Sequence, residues 1–139
     1  MDTTLENLQE RVGVLLADLT HLNYTSDLVT EGVRQAMGEY SLVTGSHETL
    51  AGLDGAEATS VPDMDCGIIV LGAAGFVAAC KTLDRKEQFN LDEQSPGAVA
   101  RLGERLLQRF DRLLGTVRSA RLRAADVPGW GDGWSKIPV

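Results

Sequence analysis

The chain has 139 residues, 43% of them hydrophobic, and carries 13 Lys and Arg against 20 Asp and Glu for a net charge of −7 at pH 7. That length holds one domain with a core of its own and is too short for two ordinary ones. The acidic total excludes a protein that coats nucleic acid, yet the charge is unevenly spread: from Arg101 to Arg123 seven Arg stand against Glu104 and Asp111, a local +5 that leaves −12 on the rest.

The opening Met1-Asp2-Thr3-Thr4 lacks the basic start and apolar run of a signal peptide, so the chain is expected to stay in the cytoplasm of the cell that makes it. Thr3 followed by Glu6 is a capping-box pattern. Leu5, Leu8, Val12, Leu15, Leu16 and Leu19 then recur at helical spacing and predict an amphipathic helix to about residue 20. After a short connection through His21, Thr25-Ser26-Asp27 supplies hydroxyl caps and a first-turn acid. Leu28, Val29, Val33, Ala36, Met37 and Tyr40 continue a second helix to about Ser41, weakened in isolation by Gly32 and Gly38.

From Val43 to Pro62 the helical periodicity stops, and Leu53-Asp54-Gly55-Ala56 holds the Asp-Gly pair favoured in two-residue hairpin turns. A small β-hairpin pairing 47–53 with 57–61 is therefore expected, marginal by itself. Pro62-Asp63 opens the next element, with Asp63 as its cap, and a helix is predicted to about Leu83.

That helix is the centre of the chain. Between Asp65 and Lys81 lie 15 residues without a charged or strongly polar side chain, so the segment should be buried all round. At about 22 Å the apolar run falls short of a bilayer span and reads as a core helix rather than a membrane segment. Ile68 to Leu71 would also suit a strand, but the alanines and length of the second half favour helix. Gly67, Gly72 and Gly75 each cost about 1 kcal/mol in a helix relative to Ala, a cost offset where other backbones approach closely; they and Phe76 are the expected core-packing positions. Cys66 and Cys80 are too far apart along one helix to bond to each other and are expected as buried apolar thiols.

Asp84 to Gln94 is charged and reads as a loop. Ser95-Pro96 gives an N-cap and a Pro at the first helical position. Val99, Leu102, Leu106, Phe110, Leu113 and Val117 then step by 3 or 4 along one apolar seam, widened by Leu107 and Leu114, and predict the longest helix, running on towards Ala125. From Val127-Pro128 onward, three Gly and two Pro preclude a stable helix, yet both tryptophans, Trp130 and Trp134, lie here with Ile137. The segment is either a tail folded back on the helices or an arm whose Trp anchors bury against a partner; the second reading is preferred. The expected architecture is mainly α: a four-helix bundle over 1–125 with a hairpin insertion at about 47–61, and an extended C-terminal arm over 126–139.

Convergent chemistry is sparse. His21 and His47 have no neighbouring ligands at metal spacing, Gly72-Ala73-Ala74-Gly75 follows no strand and precedes no Lys-Ser or Lys-Thr pair, and Gly45-Ser46-His47 is not a nucleophile elbow. Asp63 and Asp65 beside a helix start read as capping charges. No catalytic, metal or cofactor assignment follows. The charged feature is a stripe: Arg101, Arg105, Arg109 and Arg112 step by 4, 4 and 3 along one helix face. It reads as a solvated face, partly paired with Glu104 and acids of the first two helices, as a phosphate-contacting surface, or as an interface for acidic surfaces of a neighbouring subunit. The −12 on the rest of the chain disfavours the second and suits the third.

Tyr24-Thr25-Ser26-Asp27-Leu28 opening a helix that ends in Ala36-Met37-Gly38-Glu39-Tyr40-Ser41, then the hairpin, then Leu71-Gly72-Ala73-Ala74-Gly75-Phe76-Val77-Ala78, then a final helix with Phe110 in its seam, together resemble the head-to-tail adaptor, or connector, proteins of tailed bacteriophages. The resemblance spans about residues 5–117. It implies a structural virion protein of the neck, made in the host cytoplasm, that assembles as a ring, usually dodecameric, beneath the portal. Such a ring extends the channel through which DNA passes without specific binding, and it docks the next neck or tail-completion protein. The arm with Trp130, Trp134 and Ile137 would then insert into the portal. Two other classes remain: a helical DNA-binding regulatory module using Arg101 to Arg123, and a small-ligand bundle with a pocket beside Gly67, Gly72 and Gly75.

Overall fold

The computed structural model describes residues 3–17, 24–88 and 95–124, with side chains given outside 81–98. The chain is mainly helical. Among the described residues there are four helices: α1 (Leu5–Leu15), α2 (Ser26–Thr44), α3 (Asp63–Gln88) and α4 (Ser95–Ala124).

The helix starts follow from hydroxyl caps. Thr25 caps α2, its Oγ1 accepting from the Leu28 N–H at 3.2 Å. At α1 the cap is Thr4 rather than Thr3, with Oγ1 accepting from the Asn7 N–H at 3.3 Å. Thr3 lies one residue outside, where its hydroxyl donates to Asp63 Oδ1 at 3.4 Å and ties the start of α1 to the start of α3. α2 runs three residues past the expected end and stops at Gly45, whose φ of 74° gives the left-handed turn that lets its N–H reach the Ser41 carbonyl. α1 ends sooner than expected, at Leu15, with Ala17 at φ 56°.

α3 also overruns its expected end. It has 26 residues and absorbs Asp84 to Gln88, which the sequence reading placed in a loop. Asp84-Arg85-Lys86-Glu87 is charged, but Arg, Lys and Glu are good helix formers, and charge alone does not end a helix. At about 39 Å the whole helix is long enough for a bilayer, longer than its apolar run alone. Its most apolar 18-residue stretch, Asp63–Cys80, is already 56% buried inside the molecule.

α3 is the hub of the helical packing, touching α1, α2 and α4. α2 packs antiparallel to it: a Cβ on Gly32 would meet the Ala73 carbonyl oxygen at 2.8 Å, and about two turns away Tyr40 reaches Asp65. α4 is antiparallel as well, with Gly72 under Phe110, Gly75 under Leu107, and Gly103 against Ala78. Val29, Val33, Ala36 and Tyr40 of α2, Ile69, Ala73 and Val77 of α3, and Phe110 of α4 share one core, at 0 to 1% exposure. The seams read for α2 and α4 are thus the buried or half-buried faces, whereas in α1 Leu8 and Val12 are buried and Leu15 is exposed. The expectation that residues 66–80 are buried all round holds only in part: Leu71 and Phe76 are partly buried, and of the two thiols Cys66 is buried and Cys80 exposed.

The expected β-hairpin is not formed. Among the described residues there is no strand, only an isolated bridge between Thr4 and Ala51. The turn itself is present: Asp54 and Gly55 both have positive φ, 53° and 80°, and the Ala56 N–H donates to the Leu53 carbonyl at 3.0 Å. The flanking arms fail to make a ladder because hydroxyls take its places. The Thr49 N–H donates to Ser60 Oγ at 2.7 Å and the Ala51 N–H to Thr59 Oγ1 at 2.9 Å, while the Ala51 carbonyl accepts from Leu5 N–H at 2.9 Å. Side chains of Ser and Thr compete in this way with backbone pairing. The segment is instead a coil laid over the helices, burying Leu50, Leu53 and Val61 in the common core. The proposed arm, residues 126–139 with Trp130, Trp134 and Ile137, lies outside the described residues, as do His21 and Leu19.

Candidate functional site

The inward side of α4 is set by apolar contact. Gly72 has no side chain because the Phe110 ring occupies that space, 2.6 Å from where a Cβ would stand; at Gly75 the Leu107 side chain lies 2.8 Å away and its backbone nitrogen 3.1 Å. Phe76 meets Phe110 edge-on, with ring centroids 6.2 Å apart at 74°. A ligand pocket beside Gly72 and Gly75 is therefore ruled out, since α4 fills it. Gly67 differs: a Cβ there would meet only an Arg11 guanidinium nitrogen at 3.5 Å, and the residue lines an open groove of about 440 Å³ with Val14, Leu15, Val70 and Leu71.

The outward side of α4 carries the arginines. Arg101, Arg105, Arg109 and Arg112 are all exposed, as the 4, 4, 3 spacing requires when Leu106, Phe110 and Leu114 face the core. Among the described residues Arg105, Arg109 and Arg112 form no ion pair, either with Glu104 or with an acid of α1 or α2. A stripe paired within its own molecule does not describe these three.

Arg121, further along α4, does find a partner. Its Nη2 lies 3.7 Å from Glu48 Oε1. The Glu48 side chain is 8% exposed and accepts from Ser46 Oγ at 2.9 Å and Ser60 Oγ at 2.6 Å. Burial pushes the Glu48 carboxyl up, but the hydroxyl donors and Arg121 outweigh it and hold the group below the usual carboxylate range. On the other side of the coil, Arg34 of α2 clasps Asp54 through Nη2 at 2.8 Å and Nε at 3.1 Å, and also pairs with Glu31. That hydrogen bonding lowers the Asp54 carboxyl, though both partners are open to solvent. These links hold the coil to α2 and α4.

Asp65 lies in the first turn of α3, as a capping charge should, and also accepts from the buried Tyr40 hydroxyl at 2.5 Å. Burial first and then Asp65 push the Tyr40 phenol up. Asp63 keeps its place at the helix start with Thr3. His47 is exposed at the rim of a groove of about 460 Å³ that Met37, Ser41, Glu48, Leu50 and Asp54 also line. Among the described residues no group of three His, Cys, Asp or Glu could hold a metal ion. Links such as Glu48 to Arg121 and Tyr40 to Asp65 join residues far apart in the chain and left no local pattern to read.

Comparison with protein-family models, curated proteins and solved structures gives no match to this chain. The site must therefore be read from its own geometry.

Proposed function

We propose that this protein is a non-enzymatic structural subunit of a tailed-phage neck, a four-helix bundle that assembles as a ring, dodecameric in the resemblance, between the portal and the next neck or tail-completion protein. The observation that carries the reading is the outer face of α4. Arg105, Arg109 and Arg112 are exposed and without an ion pair among the described residues, on a chain whose remainder is strongly acidic. Such a face suits contact with a like subunit whose facing surface is acidic. The acidic remainder also suits a channel wall that DNA passes without sticking. In this reading the subunit is made in the host cytoplasm, ends in the virion neck and has no membrane partner, its most apolar helix being spent on internal packing.

The residues after α4 complete the proposal: Trp130, Trp134 and Ile137 form the arm that docks on the portal, and docking couples to ring closure. Co-sedimentation with a portal assembly from the same phage genome tests it. The full chain joins the portal as a multi-copy layer, and removal of residues 127–139 abolishes or sharply weakens the association. Unchanged portal binding by the shortened chain would overturn the arm's role.

The same exposed arginines support the second reading, a DNA-binding module. It requires duplex binding at about 50 mM salt that falls steeply by about 200 mM. Absence of binding at the lower concentration removes it.

A further inference from the structure

We infer that the surface that receives the α4 arginines is the outward face of α1 in a second copy of this chain, with Glu6 and Glu10 as the facing charges. The inference rests on the ring reading above and names the partner surface that reading leaves open.

Three observations converge. Glu6 and Glu10 are both exposed and stand one helical turn apart on α1, while Leu8 and Val12 between and beyond them are fully buried. Next, Gln9 Nε2 donates to Thr30 Oγ1 at 2.7 Å, which sets α1 beside the first turns of α2, where Asp27 and Glu31 are exposed too. On the α1–α2 side the acids Glu6, Glu10, Asp27 and Glu31 outnumber Arg11 and Arg34; Glu31 is partly satisfied by Arg34, whereas Glu6 and Glu10 form no ion pair among the described residues. Finally, among the described residues α1 and α4 share no contact. They occupy different sides of α3: Gly67 faces Arg11 of α1, and Gly72 and Gly75 face Phe110 and Leu107 of α4.

With α3 between them, Glu6 and Glu10 of α1 and Arg105, Arg109 and Arg112 of α4 do not meet within one molecule. In two copies they do, and because the two faces differ, the contact is heterologous and leaves one face of each sign free for the next subunit. An isolated exposed pair contributes little. Here three arginines, Arg105, Arg109 and Arg112, would face several carboxylates, and opposite fields of this kind speed encounter and fix register. Val14, 64% exposed one turn beyond Glu10, adds an apolar contact at the end of the same face.

A charge swap tests the pairing on the full-length chain. One variant reverses α4 (Arg105→Glu, Arg109→Glu, Arg112→Glu), leaving both of its faces acidic. The other reverses α1 (Glu6→Lys, Glu10→Lys), leaving both basic. Native mass is measured for each variant and for their equimolar mixture, with far-UV circular dichroism verifying parental helix content. Each variant should lose self-association by more than about a hundredfold, since like charges then face each other. The mixture should recover it, as an alternating assembly. Should the doubly substituted α1 fail to fold, Glu10→Lys paired with Arg109→Glu carries the same test.

If reversal of α4 abolishes assembly but reversal of α1 does not, and mixing gives no rescue, the counter-surface lies elsewhere; the inference is overturned and the ring reading stands. If the parent chain is monomeric alone and on a portal assembly, both fall. Capture of duplex DNA by the parent and not by the α4 variant would likewise overturn the inference in favour of phosphate contact.

Discussion

The inner and outer sides of α4 are fixed by different things. Inward, Phe110 and Leu107 stand over Gly72 and Gly75 at distances that leave no room for a methyl group. Outward, Arg105, Arg109 and Arg112 lie in solvent with no ion pair among the described residues. The inner side therefore holds the fold, and the outer side is free to serve something other than the fold. Substitutions on the two sides should separate stability from assembly.

The largest effect is expected at Phe110. Phe110→Ala empties the space over Gly72 and should lower unfolding free energy by about 3–5 kcal/mol, read by chemical denaturation. Gly72→Ala approaches the same contact from α3 and should cost about 1–3 kcal/mol through overpacking against the ring. Gly38→Ala is its counterpart on an open surface: nothing lies within 4 Å of an added Cβ, so that variant should gain up to about 1 kcal/mol. A Gly72→Ala as well tolerated as Gly38→Ala would break the inner half of the comparison.

Glu48 gives a smaller effect with a pH signature. Its carboxyl is held below the ordinary range by Ser60, Ser46 and Arg121 against the cost of burial. The ionised form therefore favours the folded state above the unfolded value of about 4.3, and the contribution fades as pH falls through the lower folded-state value. Glu48→Gln should lower stability by about 1 kcal/mol at pH 7, and the gap to the parent should close as pH falls below about 4. A gap that widens on acidification would contradict the assignment. The smallest stability effect is expected for the triple Arg105, Arg109 and Arg112 reversal, within about 0.5 kcal/mol, because those side chains touch little of their own molecule.

How much could be read beforehand follows the same division between local and distant causes. The seams of α2 and α4 were legible because spacing by 3 and 4 is a local pattern, and so were the Thr25 cap and the Asp54-Gly55 turn. The ladder around that turn was not, since Thr49, Thr59 and Ser60 look like strand residues until their hydroxyls are seen taking the backbone bonds. The far end of α3 is not legible from charge, because Arg, Lys and Glu sustain a helix as well as a loop. Cys80, expected inside, is exposed two residues beyond Ala78, the last fully buried residue of α3 among those with described side chains. For the site, spacing alone identified the arginine face. Its separation from Glu6 and Glu10 depends on α3 standing between α1 and α4, and no stretch of sequence states that arrangement.

The most direct measurement is the native mass of the purified full-length chain, alone and mixed with a portal assembly from the same phage genome. The account predicts a closed ring, or a monomer that joins the portal as a multi-copy layer. A monomer or dimer that ignores the portal at every concentration and salt tried would contradict it.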